Sequence, residues 1–356
     1  MVLADGVVHH EVYLVEGPWS IHVLEIDLPR AWAAGIRLRT ATSGPGSAGE
    51  KTSALARDVI AGINGDFFFA SGRPLGMQIG DGVLRQAPNS RSALAIAADG
   101  TPLIAVFNLR GGLVASSGRD LAVQGLNRTS LGSGSSFYNS FATGTRDSIR
   151  ADVGFVLQPL VGGVGLNDTV ACRVLQVRRR SWPLRVEDGQ WLAAFSAAAV
   201  DESIAPGDTV AVYLNLPPAA GTIVEGVGGG PRIVRDGRVS VEYEEEHLDY
   251  GFATDRNSRT AIGYSRDTRT LFMLTVDGGQ PGYSVGMRLE ELGRYMMSAL
   301  DKFAVSGSNA YQVMNMDGGG SSTMVIAGEV VNRPSDPIGE RSVGNALLVV
   351  DGAGRS

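Results

Sequence analysis

The chain is poor in the residues that most reactive centres need. It has one cysteine, Cys172, and four histidines in 356 residues. A single thiol rules out an intrachain disulfide and a cysteine-based zinc site. Cys172 stands in an apolar strand pattern, "DTVACRVLQV", and reads as a small buried side chain. Three histidines fall within the first 22 residues, and His247 lies in an acidic run, "EYEEEH". A Ser-His-Asp triad therefore has almost nothing to be built from. No run approaches the roughly 20 apolar residues that span a bilayer, so no membrane span is expected. Charge of one sign is scarce as well. Lys plus Arg is 31 against 37 Asp plus Glu, a net charge of −6. No basic stripe marks a nucleic-acid partner, and the one basic run, Gln176 to Trp182, reads as a solvated strand end.

What the chain has in quantity is glycine, 48 residues, between short apolar runs. Many of these runs end in Asp-Gly or Asn-Gly, as tight turns require. Residues 6–28 alternate apolar and polar around Gly17-Pro18, which predicts a hairpin. Helical spacing is rare. The clearest case is Ser284 to Phe303, with Leu289, Leu292, Met296, Leu300 and Phe303 three or four apart. A shorter one is Glu50 to Ile60, with Thr52 or Ser53 as N-cap. The fold class is thus α+β and β-rich, with mixed sheets and few helices. Residues 1–50 are expected to form a β-hairpin region packed on a main domain of 51–350, with 152–217 as an inserted β subdomain. The N-terminus lacks a basic-then-apolar leader pattern. An extracytoplasmic or secreted setting, with the leader missing from this sequence, is the expectation, and a cytoplasmic one stays open.

Four stretches share one design, in which an apolar strand delivers a carboxylate or amide and glycines follow. They are "AGINGDFFF", "EGVGGGPRIV", "LTVDGGQPG" and "VMNMDGGGSSTM". Residues without a Cβ let a ligand lie close to the main chain. Asp-Gly after a strand also makes plain hairpin turns, and for Asp277 alone both readings stand. The "GVGGGP" stretch runs into another strand where a dinucleotide loop needs a helix. The "GGGSST" stretch has no lysine for a phosphate loop and lacks the spacing of a nucleophile elbow. Left in these glycine-rich settings are Asp66, Asp277 and Asp317, Asn64 and Asn315, Ser321 and Ser322, and Arg259 and Arg341. Carboxylates with arginines suit a substrate carrying both sugar and phosphate, since guanidinium groups fork onto phosphate oxygens and successive glycine N–H groups can cradle an anion.

"NMDGGGSSTMV", together with "INGDFF", "GGGPRIVRDG", "SRTAIG" and "NRPSD…GER", resembles the phosphodiester glycosidase family. Its members include N-acetylglucosamine-1-phosphodiester α-N-acetylglucosaminidases and bacterial exopolysaccharide-related relatives. The resemblance runs in order from about Ala54 to Val350. It implies a phosphodiester-glycosidase-like domain that hydrolyses the bond between a sugar's anomeric carbon and a phosphate-bound oxygen. The chain departs from the family at Asn257-Ser258-Arg259, where relatives commonly carry Pro before Arg, and at Gly279-Gln280, where Arg often follows Asp-Gly.

A departing phosphate monoester is already a stable anion, so the site's main tasks are to stabilise an oxocarbenium-like sugar and to place water or a nucleophile. Asp317 and Asp66 are the expected working pair, with Asp277 as the third catalytic candidate. Arg259 is expected to hold the phosphate, with Arg341 beside it. The Gly318, Gly319 and Gly320 main chain, Ser321 and Ser322 would donate hydrogen bonds. Asn64 and Asn315 would read sugar hydroxyls, and Gly229 and Gly230 would allow close approach. Whether configuration is retained or inverted depends on carboxylate separation, about 5 Å against about 6.5–9.5 Å. No cofactor is required on this reading. Asp, Asn and main-chain oxygens in glycine-rich turns would also suit Ca2+ or Mg2+. The expected partner is a carbohydrate phosphate, small or polymeric. The alternatives are a polysaccharide-binding or export accessory protein without turnover, and a phosphodiesterase that cleaves P–O. Residues 116–150 and 241–255 are the expected loops of substrate choice.

Overall fold

The computed structural model describes residues 1–43, 47–128, 131–142, 151–180, 187, 189–196 and 200–352. Parts of the basic run and of the 116–150 segment lie outside them. The chain divides into two compact units. One comprises residues 1–76, 90–106 and 225–356, and the other residues 77–89 and 107–224.

Two sheets of the first unit position the candidate site. Among the described residues the larger has eight strands, in the order Val2–Ala4, Val7–Leu14, Trp19–Asp27, Thr270–Val276, Arg259–Tyr264, Gln312–Asn315, Arg232–Arg235 and Arg238–Val239. The hairpin expected around Gly17-Pro18 is present, with Val7 opposite Ile26 and Leu14 opposite Trp19. Every residue of Thr270–Val276 is buried, so this central strand reads as one continuous apolar run instead of an alternating one. The smaller sheet has five strands, in the order Glu329–Val330, Met324–Ile326, Ala61–Asn64, Asn345–Asp351 and Ile36–Thr42. Residues 1–50 therefore contribute strands to both sheets of this unit.

Helix Leu289–Ser298 lays Leu289, Leu292 and Met296 against Ile233, Val234, Phe272 and Leu274 in the core of the larger sheet. The expected helix began five residues earlier. Gly286 stops it, with φ at +79° and the Asn257 main chain filling the space a Cβ would need. The helix then starts where the Glu291 carboxylate accepts the Arg288 N–H at 2.9 Å. The other expected helix shrinks to Thr52–Leu55, capped by neither Thr52 nor Ser53. Ser53 is held from outside, its N–H and hydroxyl donating to Glu340 at 2.7 and 2.6 Å.

The second unit holds a sheet of seven strands among its described residues, in the order Asp120–Val123, Arg110–Val114, Thr209–Asn215, Asp168–Arg179, Val153–Pro159, Trp191–Phe195 and Ser135–Tyr138. Their pairings are antiparallel. Cys172 is fully buried there, as its strand pattern implied. This unit begins well before residue 152 and contains the whole 152–217 segment. The protein is thus β-rich with few helices, as its turn chemistry and short apolar runs require.

Leu292 is fully buried on the helix that covers the larger sheet. Leu292→Ala should lower the unfolding free energy by about 2–5 kcal/mol, read as a shift of the urea midpoint at unchanged slope.

Candidate functional site

All three aspartates singled out in the sequence belong to the first unit and lie just beyond strand ends. Asn64, the last residue of Ala61–Asn64, sets the geometry. Its Nδ2 donates to the Asp317 carbonyl at 2.7 Å. Its Oδ1 accepts the Thr260 hydroxyl at 2.7 Å and the Thr323 N–H at 3.1 Å. The Asp317 N–H in turn donates to the Gly65 carbonyl at 3.1 Å. These bonds join the end of a strand in the smaller sheet to a strand and a loop that continue the larger one. They bring the Asp66 and Asp317 segments together from positions 251 residues apart.

The two carboxyl groups differ in exposure. The Asp317 side chain keeps 13% of its surface, and Arg341, with its side chain 41% exposed, stands 3.8 Å from it. The Ser321 hydroxyl accepts Arg341 Nη2 at 2.5 Å and Nε at 3.2 Å, and it hydrogen-bonds Asp317. Burial raises the Asp317 pKa, while Ser321, Arg341 and the Gly318 N–H oppose the rise. Asp66 is sealed, with 1% exposure. Its Oδ2 accepts the Gly76 N–H at 2.6 Å, and its own N–H donates to Asn345 Oδ1 at 2.7 Å. Burial pushes its pKa up to about 7. The N–H groups of Gly76 and Phe67 oppose this, the Asp317 charge adds to it, and Arg91 offsets part of it. Thus the two groups share one electrostatic environment, but only Asp317 opens to solvent. The expectation of two open working carboxylates is corrected on this point.

Asp277 is fully buried and serves as an anchor. It accepts Asn332 Nδ2 at 2.9 Å, the Arg333 N–H at 3.0 Å and the Tyr283 hydroxyl at 3.0 Å. Asn332 Oδ1 then accepts the Met324 N–H at 2.7 Å, and its Nδ2 also reaches the Ser322 carbonyl at 3.0 Å. Asp277 thereby fixes the loop that follows the glycine run, and it has no open face for chemistry.

Several expected ligand contacts have structural roles instead. Arg259 is 1% exposed. Its Nε donates to the Met287 carbonyl at 3.0 Å, and its Nη2 to the carbonyls of Phe252 and Asp255 at 2.8 and 2.7 Å. Burial brings its pKa down to about 10. It straps three segments together and is not placed as an open phosphate clamp. Asn64 has both polar ends engaged within the protein. Asn315 is fully buried, with Nδ2 on the carbonyls of Gly230 and Met316 at 3.0 and 2.5 Å. Neither amide faces a sugar. Ser322 is fully buried too. A side chain at Gly229 would run into Met314 and the Asn315 carbonyl, and one at Gly230 into Glu246. Those two glycines serve packing.

The glycine run is also less free than a three-donor cradle would be. The Gly318 N–H donates to its neighbour's carboxylate at 3.0 Å, and the Gly319 N–H to the Ser258 carbonyl at 2.9 Å. Of the three, only the Gly320 N–H has no acceptor among the described residues. A Cβ there would stand 2.9 Å from Asp336 Oδ2. The open part of the site therefore consists of Asp317, the half-buried edge of Gly318–Gly320 and Arg341. Phe67, half-buried next to Asp66, packs edge-on against Phe252 at 5.7 Å and carries the Arg91 guanidinium 5.2 Å above its ring. Arg91, Asn332, Asn345 and Asp336 were not picked out from sequence. Asn332 and Asp336 stand in the quoted "NRPSD" stretch, so a signal for them existed. Arg91 and Asn345 had none.

The phosphodiester glycosidase family pattern matches residues 176–350, just under half of the chain. The fold is phosphodiester-glycosidase-like. The match takes in Asp277, Asp317 and Arg341 and leaves Asn64 and Asp66 outside, a shorter span than the resemblance from Ala54. Among solved structures, a hypothetical protein from Synechocystis is similar at 22% identity and a TM-score of 0.69, over 96% of this chain and 61% of that one. This chain thus spans about three fifths of that protein's length. A Burkholderia pseudomallei protein described as exported is similar at 26% identity and a TM-score of 0.64, over 94% of this chain and 74% of that one. The zebrafish N-acetylglucosamine-1-phosphodiester alpha-N-acetylglucosaminidase catalytic domain, auto-inhibited by its pro-peptide, aligns at 16% identity and a TM-score of 0.49, over 97% and 82% of the two chains. No curated protein matches the chain.

The folded protein keeps the Asp66 proton up to about pH 7, whereas an unperturbed aspartate releases it near 3.8. The folded state therefore binds more protons than the unfolded chain between these values, and stability falls as pH rises through that window. Asp66→Asn removes this dependence. Thermal melts should show the variant gaining on the wild type between pH 5 and pH 8. A constant gap would show that Asp66 ionises normally.

Proposed function

We propose that the chain hydrolyses the glycosidic bond of a sugar-1-phosphodiester, releasing free sugar and a phosphate monoester. One observation carries the proposal. A single half-open carboxylate, Asp317, lies between a glycine edge and the partly exposed guanidinium of Arg341. The family match over the same residues supports it.

The chemistry suits one accessible carboxylate. The bond between anomeric carbon and oxygen breaks with its electron pair leaving on the phosphate monoester, which needs little protonation. Positive charge develops on the sugar, and the Asp317 carboxylate stabilises it. Water adds its oxygen to the anomeric carbon, and the Asp317 carboxylate takes the proton. Arg341 and the Gly320 N–H hold the phosphate. Ser321 keeps Arg341 and Asp317 in register through its hydroxyl. Asp66 lies behind the pair, and burial keeps it protonated up to about pH 7, which limits the negative charge there. It acts on the reaction through Asp317.

Among the described residues no three His, Cys, Asp or Glu side chains gather into a metal-binding group. A Ca2+ or Mg2+ at the pair would have to complete its shell with main-chain and hydroxyl oxygens. On the proposed reading arginines supply the counter-charge, so activity should survive a chelator. An extracytoplasmic setting goes with this reading, supported by the Burkholderia protein's description as exported.

Incubation with a panel of glycosyl-1-phosphodiesters should release free sugar. Release of sugar phosphate would instead mean P–O cleavage, and binding without release would mean an accessory sugar-binding protein. Asp317→Asn should lower turnover by ~10²-fold or more while circular dichroism and melting stay close to wild type. An active Asp317→Asn protein would overturn the assignment.

A further inference from the structure

A second concavity of about 480 Å³ lies in the first unit, between the Val7–Leu14/Trp19–Asp27 hairpin and the helix that starts at Leu289. Its walls are Val12, Leu14, Trp19, Tyr295, Ala299 and Phe303. None of the residues in the proposed reaction lines it. The volume falls in the range of small-molecule sites, about 300–1,000 Å³.

The polar groups along it form one stripe, Glu291, Arg294, Ser298 and Lys302. Most of them are already engaged. Glu291 pairs with Arg256 at 2.6 Å, Arg294 pairs with Glu290, and the Ser298 hydroxyl donates to the Arg294 carbonyl at 2.7 Å. The Lys302 ammonium has no partner among the described residues. Tyr295 is 8% exposed, and its hydroxyl is buried with no hydrogen-bond partner.

We infer that this groove binds a single-chain amphiphile with an anionic head, a fatty carboxylate free in solution. The apolar tail lies along Val12, Leu14 and Trp19, with Phe303 closing the far side. The carboxylate meets the positive charge of Lys302, which has no ion pair among the described residues. Charge complementarity selects the head group. The other lining charges, Glu291 and Arg294, are neutralised by their own partners, so the groove carries one net positive charge.

The test uses the whole chain and calorimetric titration with three ten-carbon probes below their micelle concentrations: decanoate, decanol and decyltrimethylammonium. Decanoate should bind one to one and at least fivefold tighter than decyltrimethylammonium. Lys302→Glu should weaken decanoate at least fivefold and leave decanol unchanged. Ser298→Trp places a large side chain across the groove from an exposed helix position and should abolish binding of both. The inference is overturned if decanoate fails to bind at millimolar concentration, or if Ser298→Trp leaves its binding intact. It is equally overturned if Lys302→Glu has no effect, or if sedimentation shows a dimer that Ser298→Trp disperses, since a second copy would then cover the groove. These readouts do not depend on the glycosidase reaction, so either proposal can fail without the other.

Discussion

The side chain of Asn64 is the point on which the site depends. One amide holds the Asp317 carbonyl, the Thr260 hydroxyl and the Thr323 N–H. The partners come from one strand and one loop, and a buried amide left half-paired would cost about 1–3 kcal/mol per lost bond. Substitution at Asn64 would therefore loosen the Asp317 loop before it disturbed the sheets. Amides and hydroxyls crowd this region. Many of them hold strand ends together, and few face outward.

Burial does the electrostatic work. Asp66 and Asp317 lie close enough for the charge of one to resist ionisation of the other, and desolvation is the larger effect on both. Burial therefore favours the neutral form of both groups. They differ in exposure. Asp317, with Arg341 and Ser321 around it, keeps an open edge. Asp66, held by the Gly76 N–H, is sealed behind it. Asp277 has a raised pKa as well, yet its donors come from the 332–333 loop and Tyr283, which makes it a structural anchor. A perturbed pKa alone does not separate these cases. The remaining exposure of the group does.

Much of the architecture was legible in the chain. The alternation around Gly17-Pro18 predicted the hairpin, and the spacing of Leu289, Leu292 and Met296 predicted the longest helix among the described residues. Its start was misplaced because Gly286 and the pairing of Met287 with Asn257 depend on a segment some thirty residues earlier. The row Asp317 to Ser322 was also visible as a site, though its donors were overcounted. Sequence shows how many N–H groups a glycine run has. It does not show that the Ser258 carbonyl and the Asp317 carboxylate have already taken two of them.

What the sequence determined by itself was the chemical inventory: carboxylates, amides and arginines at strand ends, with no thiol pair, no usable histidine and no basic face. That inventory follows from residue type and spacing, which local physics can read. Only the tertiary structure decided which of these groups stay open. Arg259 and Arg341 are the same side chain in sequence terms. One is enclosed by three carbonyls and the other stands beside Asp317 at the surface. The difference lies in distant segments that compete for the same hydrogen bonds, and no local pattern encodes that competition.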